Sequence, residues 1–320
     1  METKNKYAVG VDLGGTTIKV GLVTADGKIV VKKELESFAE INPDAVIKQI
    51  IKGINLVSEG YENKIVGVGI GSPGMVITKK GTVEYPPNFN EWGSVPLAKI
   101  IKKKIKKEVH VENDANAAAI GEFIFGAGRN LDSFIMITLG TGVGGGIILN
   151  KKLYHGDNGA AGEIGHVSIN GSGPKCKCGS YGCIEAYVGK DYLIKRAKRN
   201  LANAKNSKLY KLVNVKGEEL TPKLISSTAK SGDKFSISVI QDVGNKLGVV
   251  LSSVINLLDV SNVVIGGGIA GFGKLLIKST SEATNARVMK SLRGKVKVHT
   301  AKLKNEAGIQ GASALVFYKS

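Results

Sequence analysis

The chain has 320 residues, 42% of them hydrophobic, which is enough for one large domain or two ordinary ones. No apolar run reaches the ~18 residues of a membrane-spanning helix, and the apolar stretch after Lys6 ends at Asp12, too early for a signal peptide. We therefore expect a cytoplasmic protein with no membrane partner. The net charge of +18 fits either nucleic-acid binding or attraction of an anionic substrate. Because aromatic residues do not alternate with the basic runs, a lysine-rich solvated surface with no nucleic-acid partner is favoured.

The first part of the chain alternates short apolar runs with turn residues. These runs predict four strands, at 7–11, 18–24, 28–35 and 64–70. Asp26 and Gly27 indicate a hairpin between the second and third strands. Asn42 and Pro43 provide an N-cap and a first helical residue, and an apolar face with helical spacing follows them.

The pattern of strand, glycine turn and strand occurs a second time about 125 residues later. There the sequence predicts a strand at 133–139, a turn at 140–146 and a strand at 147–149. This spacing suits two related α/β domains that face each other across a cleft. We expect a small domain over 1–115, to which a C-terminal helix at 305–320 returns, and a large domain over 116–304.

Three glycine-rich turns, each after an apolar strand, suit the binding of phosphate groups. Glycine lets the backbone approach an anion, and threonine hydroxyls and amides bond to phosphate oxygens. Any one of these turns alone is equally compatible with a simple tight turn, whereas three together predict nucleotide binding. Asp12 is placed to hold a magnesium ion through water. The candidate residues are Asp12, Gly14, Gly15, Thr16, Thr17, Lys19, Thr141, Gly142, Gly267 and Gly268.

Polar residues elsewhere suit the recognition of a neutral polyol. Asp114 ends a strand and begins an Ala-rich segment, so by itself it reads as a helix cap. Together with the three glycine-rich turns, it is instead interpreted as the base that accepts the proton of an attacking hydroxyl. A second group of candidates has carboxylate, amide or imidazole side chains that can bond to sugar hydroxyls: Asn88, Asn113, Glu163, His166 and Glu185.

All three cysteines lie within eight residues and follow a histidine. Cys176, Cys178 and Cys183 together with His166 provide the ligands of a closed, structural zinc site. The alternative is three buried thiols, but the glycine-rich surroundings offer little core to bury them. We expect one nitrogen of His166 to bind zinc and the other to bind a sugar hydroxyl.

The ensemble of motifs resembles the ROK family (repressors, open reading frames and kinases) over nearly the whole chain. The cysteine run is the most specific of these motifs, and Glu306 departs from the Asp found in many relatives. In chain order the motifs are Asp12 to Lys19, Gly71-Ser72-Pro73-Gly74, Asn113-Asp114, Gly140-Thr141-Gly142, Glu163-Ile164-Gly165-His166, the run 176–183, Glu185 and Gly266-Gly267-Gly268.

The resemblance implies a fold of two actin-like (ribonuclease H-like) α/β domains, with ATP and magnesium as cofactors and homodimers or homotetramers as assemblies. It implies that Asp114 is the catalytic base. It also implies sugar contacts from Gly74, Asn88, Asn113, Asp114, Glu163, His166 and Glu185. By length and layout the chain is most similar to the bacterial glucokinases, which implies transfer from ATP to D-glucose.

Other functions within the same family stay open at this point. Relatives phosphorylate N-acetylmannosamine and other hexoses or amino sugars, and polyphosphate is an alternative donor. Some members are sugar-responsive transcriptional regulators with a DNA-binding domain before the first phosphate motif. Here that motif begins at Asp12, and Thr16, Lys19 and Thr141 are all present, so we expect a kinase.

Overall fold

The computed structural model describes residues 6–318, which divide into two compact units. The first contains the described residues up to Asp132, with Gly146–Gly162 and the chain from Lys302 onward. The second contains Ser133–Gly145 and Glu163–Ala301. The boundary expected between residues 115 and 116 falls in the first turn of a helix, and the first unit continues to the end of that helix and beyond it.

The described residues form thirteen strands and ten α-helices, besides short 3₁₀ and π-helical turns. The strands are β1 (Tyr7–Leu13), β2 (Thr17–Thr24), β3 (Ile29–Glu36), β4 (Ile65–Ser72), β5 (Met75–Ile77), β6 (Thr82–Glu84), β7 (Ser94–Val95), β8 (Val109–Asn113), β9 (Phe134–Leu139), β10 (Val143–Leu149), β11 (Lys152–Leu153), β12 (Asn262–Gly266) and β13 (Lys297–Thr300). The helices are α1 (Pro43–Ser58), α2 (Leu97–Ile105), α3 (Asp114–Phe125), α4 (Glu185–Val188), α5 (Lys190–Leu201), α6 (Lys208–Tyr210), α7 (Pro222–Lys230), α8 (Lys234–Leu258), α9 (Lys274–Arg287) and α10 (Ala307–Phe317).

A five-stranded sheet with the order β3-β2-β1-β4-β8 forms the centre of the first unit. β1, β2 and β3 are antiparallel neighbours, whereas β1, β4 and β8 run parallel. The four strands predicted from apolar runs are confirmed, with ends that differ by at most two residues. A small sheet of β5, β6 and β7 follows β4 in the chain.

Helix α1 begins where the sequence predicts. The Asn42 side-chain oxygen accepts a hydrogen bond from the Ala45 amide at 2.9 Å, and Pro43 is the first helical residue. Its apolar face packs into the core of the first sheet, because burying that stripe is the main source of stability for an amphipathic helix. The buried residues of α1 are Val46, Ile47, Ile50, Gly53, Ile54 and Val57.

Glycines allow the C-terminal helix to lie close to the first sheet and to α3. A Cβ on Gly10 of β1 would lie only 2.9 Å from the Ser313 amide nitrogen of α10. A Cβ on Gly121 of α3 would lie 2.7 Å from the Gly311 Cα. Since real Cβ atoms do not approach so closely, glycine is required at both contacts. This packing places α3 in the first unit.

The second sheet has the order β11-β10-β9-β12-β13, and the division between the units falls within β10. The expectation of a turn over 140–146 was wrong at its C-terminal end, since β10 already begins at Val143. The later glycines of this run serve close packing instead of a turn. A Cβ on Gly146, for example, would lie 2.8 Å from the Cβ of Ala119.

The longest helix, α8, has 25 residues and is capped by Asp233, whose side chain accepts from the Ser236 amide at 2.9 Å. Gly244 lets α9 approach it, because a Cβ there would lie 2.9 Å from the Thr280 amide nitrogen. Within residues 6–318, no helix combines the length and the apolarity needed to cross a bilayer, α8 included.

Candidate active site

The parallel strands of the first sheet bring two groups of candidate residues to the same edge. In the strand register Asp12 of β1 lies opposite Gly71 of β4, and Gly71 lies opposite Glu112 of β8. Neighbouring strands are about 4.8 Å apart, so the backbones at Asp12 and Glu112 are separated by roughly 10 Å. Asn113 and Asp114 follow Glu112 directly and therefore lie near the glycine turn after β1.

The first glycine turn is fixed by a bond within it and by a bond from Ser37, the residue that follows β3. The Gly14 amide donates to the Thr17 carbonyl at 3.1 Å, and the Ser37 hydroxyl donates to the Gly15 carbonyl at 2.8 Å. Thr16 at the tip is exposed. A fixed turn with an accessible hydroxyl suits an anion such as a phosphate group.

The Asp12 carboxylate lies between a cation and the start of a helix. Lys19 is its partner across the antiparallel pair of β1 and β2. A Cβ on Gly308, in the first turn of α10, would collide with the Asp12 carboxylate. Burial raises the pKa of Asp12, and the charge of Lys19 partly opposes this rise. A divalent cation bound here would stabilise the ionised form.

Asn88 and Gly74 each lie against another candidate residue. Asn88 adopts a positive φ of 66° and approaches the first glycine turn, where a Cβ on Gly15 would lie 3.5 Å from its own Cβ. The Asn113 side-chain amide donates to the Gly74 carbonyl at 3.2 Å. The structure therefore groups Asn88 with the glycine turn after β1, and Gly74 with the turn at Asn113 and Asp114, which is called the acceptor turn below because Asp114 is the predicted base.

The capping role that the sequence left open for Asp114 belongs to its neighbour. Asn113 is the N-cap of α3, and its Oδ1 accepts from the amides of Ala115 at 2.9 Å and Asn116 at 3.3 Å. Asp114 is the first helical residue and is exposed. Its Oδ1 accepts from the Ala115 amide at 2.7 Å, which fixes the direction of the carboxylate.

In the second unit, two glycine turns follow the neighbouring parallel strands β9 and β12. The first is closed by a bond of 2.9 Å from the Gly140 amide to the Gly142 carbonyl, and Thr141 is exposed. A Cβ on Gly267, which has a φ of 85°, would lie 2.7 Å from the Leu139 carbonyl carbon. The two turns are therefore adjacent at one edge of the second sheet. Gly268 follows, with no atom within 4 Å of its added Cβ.

Glu185 connects the glycine turn at 140–142 to the cysteine cluster. Its Oε2 accepts from the Val143 amide at 3.0 Å, and its Oε1 lies 3.7 Å from the Cys176 Sγ. A Cβ on Gly142 would lie 3.3 Å from the Glu185 Cδ. The Glu185 carboxylate, which the sequence predicts to bind sugar, thus already accepts a hydrogen bond from Val143, the residue after the glycine turn at 140–142.

The two ring nitrogens of His166 face different groups. Nδ1 lies 3.8 Å from the Cys176 Sγ, within the cysteine cluster. Nε2 lies 3.9 Å from the Glu163 Oε2, outside it. Both His166 and Glu163 are exposed. One ring nitrogen therefore faces the cysteine cluster and the other faces the Glu163 carboxylate.

The cysteine cluster has the dimensions of a tetrahedral metal site. One ligand atom from each of His166, Cys176, Cys178 and Cys183 lies within 4.8 Å of all the others. The Sγ atoms of Cys178 and Cys183 are 3.7 Å apart, and a Zn–S bond of 2.3 Å implies a tetrahedral edge of roughly 3.8 Å. Burial raises the pKa of the Cys176 thiol to about 12, so its thiolate requires a cation. The residues present therefore fit zinc.

A tight turn brings the first two cysteines together. The Gly179 amide donates to the Cys176 carbonyl at 3.0 Å, and Gly179 has a φ of 95°, which glycine adopts without strain. The Cys176 amide donates to the Ser180 carbonyl at 2.8 Å, which closes the loop.

Two residues of the first unit were missed by the sequence analysis. His155 Nε2 lies 2.8 Å from the Glu112 Oε2, and Glu112 is buried. The bond to Glu112 raises the pKa of His155 against the opposing effect of burial. An acidic residue directly before the Asn113-Asp114 pair was the only sequence signal for this contact.

Comparison with known proteins matches the description "ROK family" to residues 8–319. A glucokinase of Thermotoga maritima is 37% identical over 308 residues, which is 96% of each chain. A xylose repressor of Caldicellulosiruptor bescii is 30% identical over 96% of this chain and 77% of its own length.

Among solved structures, a ROK family glucokinase from Streptomyces griseus in complex with glucose and AMPPNP superposes with a TM-score of 0.84. Its sequence is 34% identical, and the match covers 97% of this chain and 98% of the glucokinase. The fold prediction of an α/β sugar-kinase architecture is confirmed by this similarity.

Proposed function

The chain belongs to the ROK family, and from this premise we propose that it transfers the terminal phosphate of ATP to a hydroxyl of a hexose, with D-glucose preferred. Full-length similarity to a glucokinase at 37% identity supports the proposal. So does the similarity to a glucokinase whose structure holds glucose and an ATP analogue. We expect the reaction to take place in the cytoplasm, where ATP is available and thiols stay reduced.

The observation that carries the proposal is the strand register of the first sheet. It holds Asp12 and Glu112 at one edge, roughly 10 Å apart across two strand spacings, and the Asn113-Asp114 turn follows Glu112 directly. Phosphoryl transfer depends mainly on positioning and on stabilising charge. Asp12 would hold magnesium through water, and the amides and hydroxyl of the turn at Thr16 would bind phosphate oxygens.

Asp114 is proposed as the general base. It is exposed at the first turn of α3, and the Ala115 amide fixes its direction. Asn113 and Gly74 are proposed to bind the sugar beside it, as are Asn88, Glu163, His166 and Glu185 of the candidate set. Polar side chains of this kind suit a sugar whose hydroxyls are all free, because a missing hydroxyl leaves a polar group unpaired.

Zinc is proposed as a structural ion held by His166, Cys176, Cys178 and Cys183. Four protein ligands leave no open position, so the ion would organise the loop and take no part in chemistry. His166 would then offer Nε2, beside Glu163, to a sugar hydroxyl. A homodimer or homotetramer stays a prediction.

A sugar-responsive regulator is the second candidate, because a xylose repressor is 30% identical over 96% of this chain. The exposed Thr16 and Thr141 and the partly buried Asp12 favour the kinase, since a regulator has no need of a phosphate site. If the protein is a kinase, the alternative acceptor is N-acetylmannosamine and the alternative donor is polyphosphate.

A coupled phosphorylation assay over a panel of hexoses and amino sugars tests the proposal. We expect the highest kcat/KM with glucose and ATP. Asp114→Asn should lower kcat by about 10²–10⁴-fold, the usual contribution of a general base. Asp44→Asn, at an exposed acidic residue in the first turn of α1, is the matched control. An Asp114→Asn variant with more than about a tenth of wild-type kcat would refute the base.

A further inference from the structure

The buried carboxylate of Glu112 lies two residues before the proposed base, Asp114, and has no role in the function described so far. Its side chain is 5% exposed. Its Oε1 accepts from the Asn113 amide at 2.9 Å and from the Asn116 side-chain amide at 3.1 Å. These two residues flank Asp114 and Ala115 in the chain, so one oxygen holds the acceptor turn from both sides.

The other oxygen of Glu112 is bonded from two different parts of the first unit. Thr78 Oγ1 donates to Oε2 at 3.1 Å, and His155 Nε2 lies 2.8 Å from the same atom. His155 lies in the segment that follows β11, and Thr78 follows β5. Four donors thus surround one buried carboxylate, which fixes its position and compensates its burial.

The orientation of the Asn116 amide shows how strongly Glu112 controls the turn. Its Nδ2 donates to Glu112, and its buried Oδ1 has no hydrogen-bond partner among the described residues. An unpaired buried acceptor is unfavourable. A flipped amide would direct its oxygen at the carboxylate, which is worse, because both groups would then be acceptors. The carboxylate therefore imposes one orientation on the first turn of α3.

We propose that Glu112 is a positioning residue for Asp114, which it orients through its hydrogen bonds to Asn113 and Asn116. The inference rests on the proposed role of Asp114 as the base. Glu112 does not touch the substrate. It fixes the two residues around Asp114, while His155 and Thr78 hold Glu112 itself. A base that is displaced by about 1 Å loses of the order of 100-fold in rate.

Replacement of Glu112 separates its hydrogen bonds from its charge. Glu112→Gln keeps an oxygen that accepts from Asn113 and Asn116, and its amide donates to Thr78 and to neutral His155. We expect its kcat to stay within about fivefold of wild type. Glu112→Ala removes the acceptor, and we expect kcat to fall about 100-fold while KM for ATP changes less than about threefold.

Two further variants complete the design. Glu112→Asp keeps the charge but shortens the side chain by one methylene, and we expect a lower kcat than for Glu112→Gln. Glu122→Gln is the matched control, because Glu122 is a fully buried carboxylate on α3, about 12 Å along that helix from Asp114. We expect it to keep wild-type kcat per folded molecule. Amide hydrogen exchange of residues 113–117 should be faster in Glu112→Ala than its loss of global stability explains, whereas in Glu122→Gln any change should be fully explained by its loss of global stability.

The positioning role is overturned if Glu112→Ala turns over at wild-type kcat per folded molecule, or if its amides at 113–117 exchange at the wild-type rate. It is also overturned if Glu112→Asp is more active than Glu112→Gln, because the charge would then matter more than the hydrogen bonds. Asp114→Asn, assayed in parallel, reports on the base itself. An active Asp114→Asn refutes the proposed base, whereas an inactive Asp114→Asn beside an active Glu112→Ala refutes the positioning role alone.

Discussion

The carboxylate of Glu122 should make a large contribution to the stability of the first unit. Glu122 lies near the end of α3, and its side chain is 0% exposed. Its Oε2 accepts from the amides of Ala127 at 2.6 Å and Lys302 at 3.1 Å, and its Oε1 accepts from the Leu303 amide at 2.8 Å. One carboxylate therefore connects the end of α3 to the chain that enters α10.

The cost of Glu122→Gln follows from these three bonds. The amide oxygen can replace Oε2, but the amide nitrogen then faces the Leu303 N–H, so a buried donor loses its partner at about 1–3 kcal/mol. The two remaining bonds lose their ionic character, at about 1 kcal/mol each. Gln avoids part of the desolvation of a buried charge, which offsets some of this loss. We expect a net loss of about 2–4 kcal/mol, a large fraction of the ~5–15 kcal/mol of a typical domain.

The fluorescence of Trp92 offers a direct assay. Trp92 is the only tryptophan of the chain, is 3% exposed and lies in the same unit as Glu122. Urea unfolding followed by this signal reports the free energy of unfolding of the first unit. Glu108→Gln is the control, because Glu108 is 65% exposed and pairs with Lys102 on the surface, where such pairs contribute ~0–1 kcal/mol. A loss no larger for Glu122→Gln than for Glu108→Gln would refute the reasoning.

Three further outcomes are expected. His155→Gln should lower Tm most below about pH 6.5, where His155 is protonated both folded and unfolded. The bond to Glu112 raises the pKa of His155, so the difference in Tm between wild type and His155→Gln should disappear as the pH rises through the pKa of His155 in the folded protein. A Tm difference that stays constant from about pH 5.5 to 9 would contradict this expectation. Elemental analysis should find one zinc ion per chain, and chelation should lower Tm; an unchanged Tm without metal would exclude a structural ion. Gly308→Ala should raise KM for magnesium-ATP about tenfold by displacing Asp12, whereas Gly271→Ala, with open space around its Cβ, should not.

Local signals in the sequence predicted a large part of the fold. Asn42 and Pro43 begin α1 as expected, because a capping side chain and a proline act on the residues next to them. The cysteine cluster was equally predictable, since Cys176, Cys178 and Cys183 lie within eight residues and one turn brings them together. Both predictions depend on chain neighbours, and the structure has little freedom to alter them.

Contacts between distant segments were not predictable in this way. The glycines after Gly142 were read as part of a turn, although a Cβ at Gly146 is excluded by a helix that begins about thirty residues earlier in the chain. A glycine in the sequence does not reveal whether it is needed for a turn, for the approach of an anion to the backbone or for close packing against a helix. Only the packed structure separates these three uses.

The pair of Glu112 and His155 illustrates the same limit for the site itself. The two residues are separated by 43 positions, and neither belongs to a motif that by itself predicts a contact between them. The sequence does show an acidic residue that ends an apolar strand just before Asn113 and Asp114. A buried carboxylate must find donors, so such a residue predicts that partners exist without naming them.

The parallel register of β1, β4 and β8 then explains why the partners matter, because it brings Glu112 level with Asp12 at the edge where both phosphate and acceptor are proposed to bind. A group that holds the acceptor turn at this edge is in a position to set the geometry of transfer, even though it never touches the substrate.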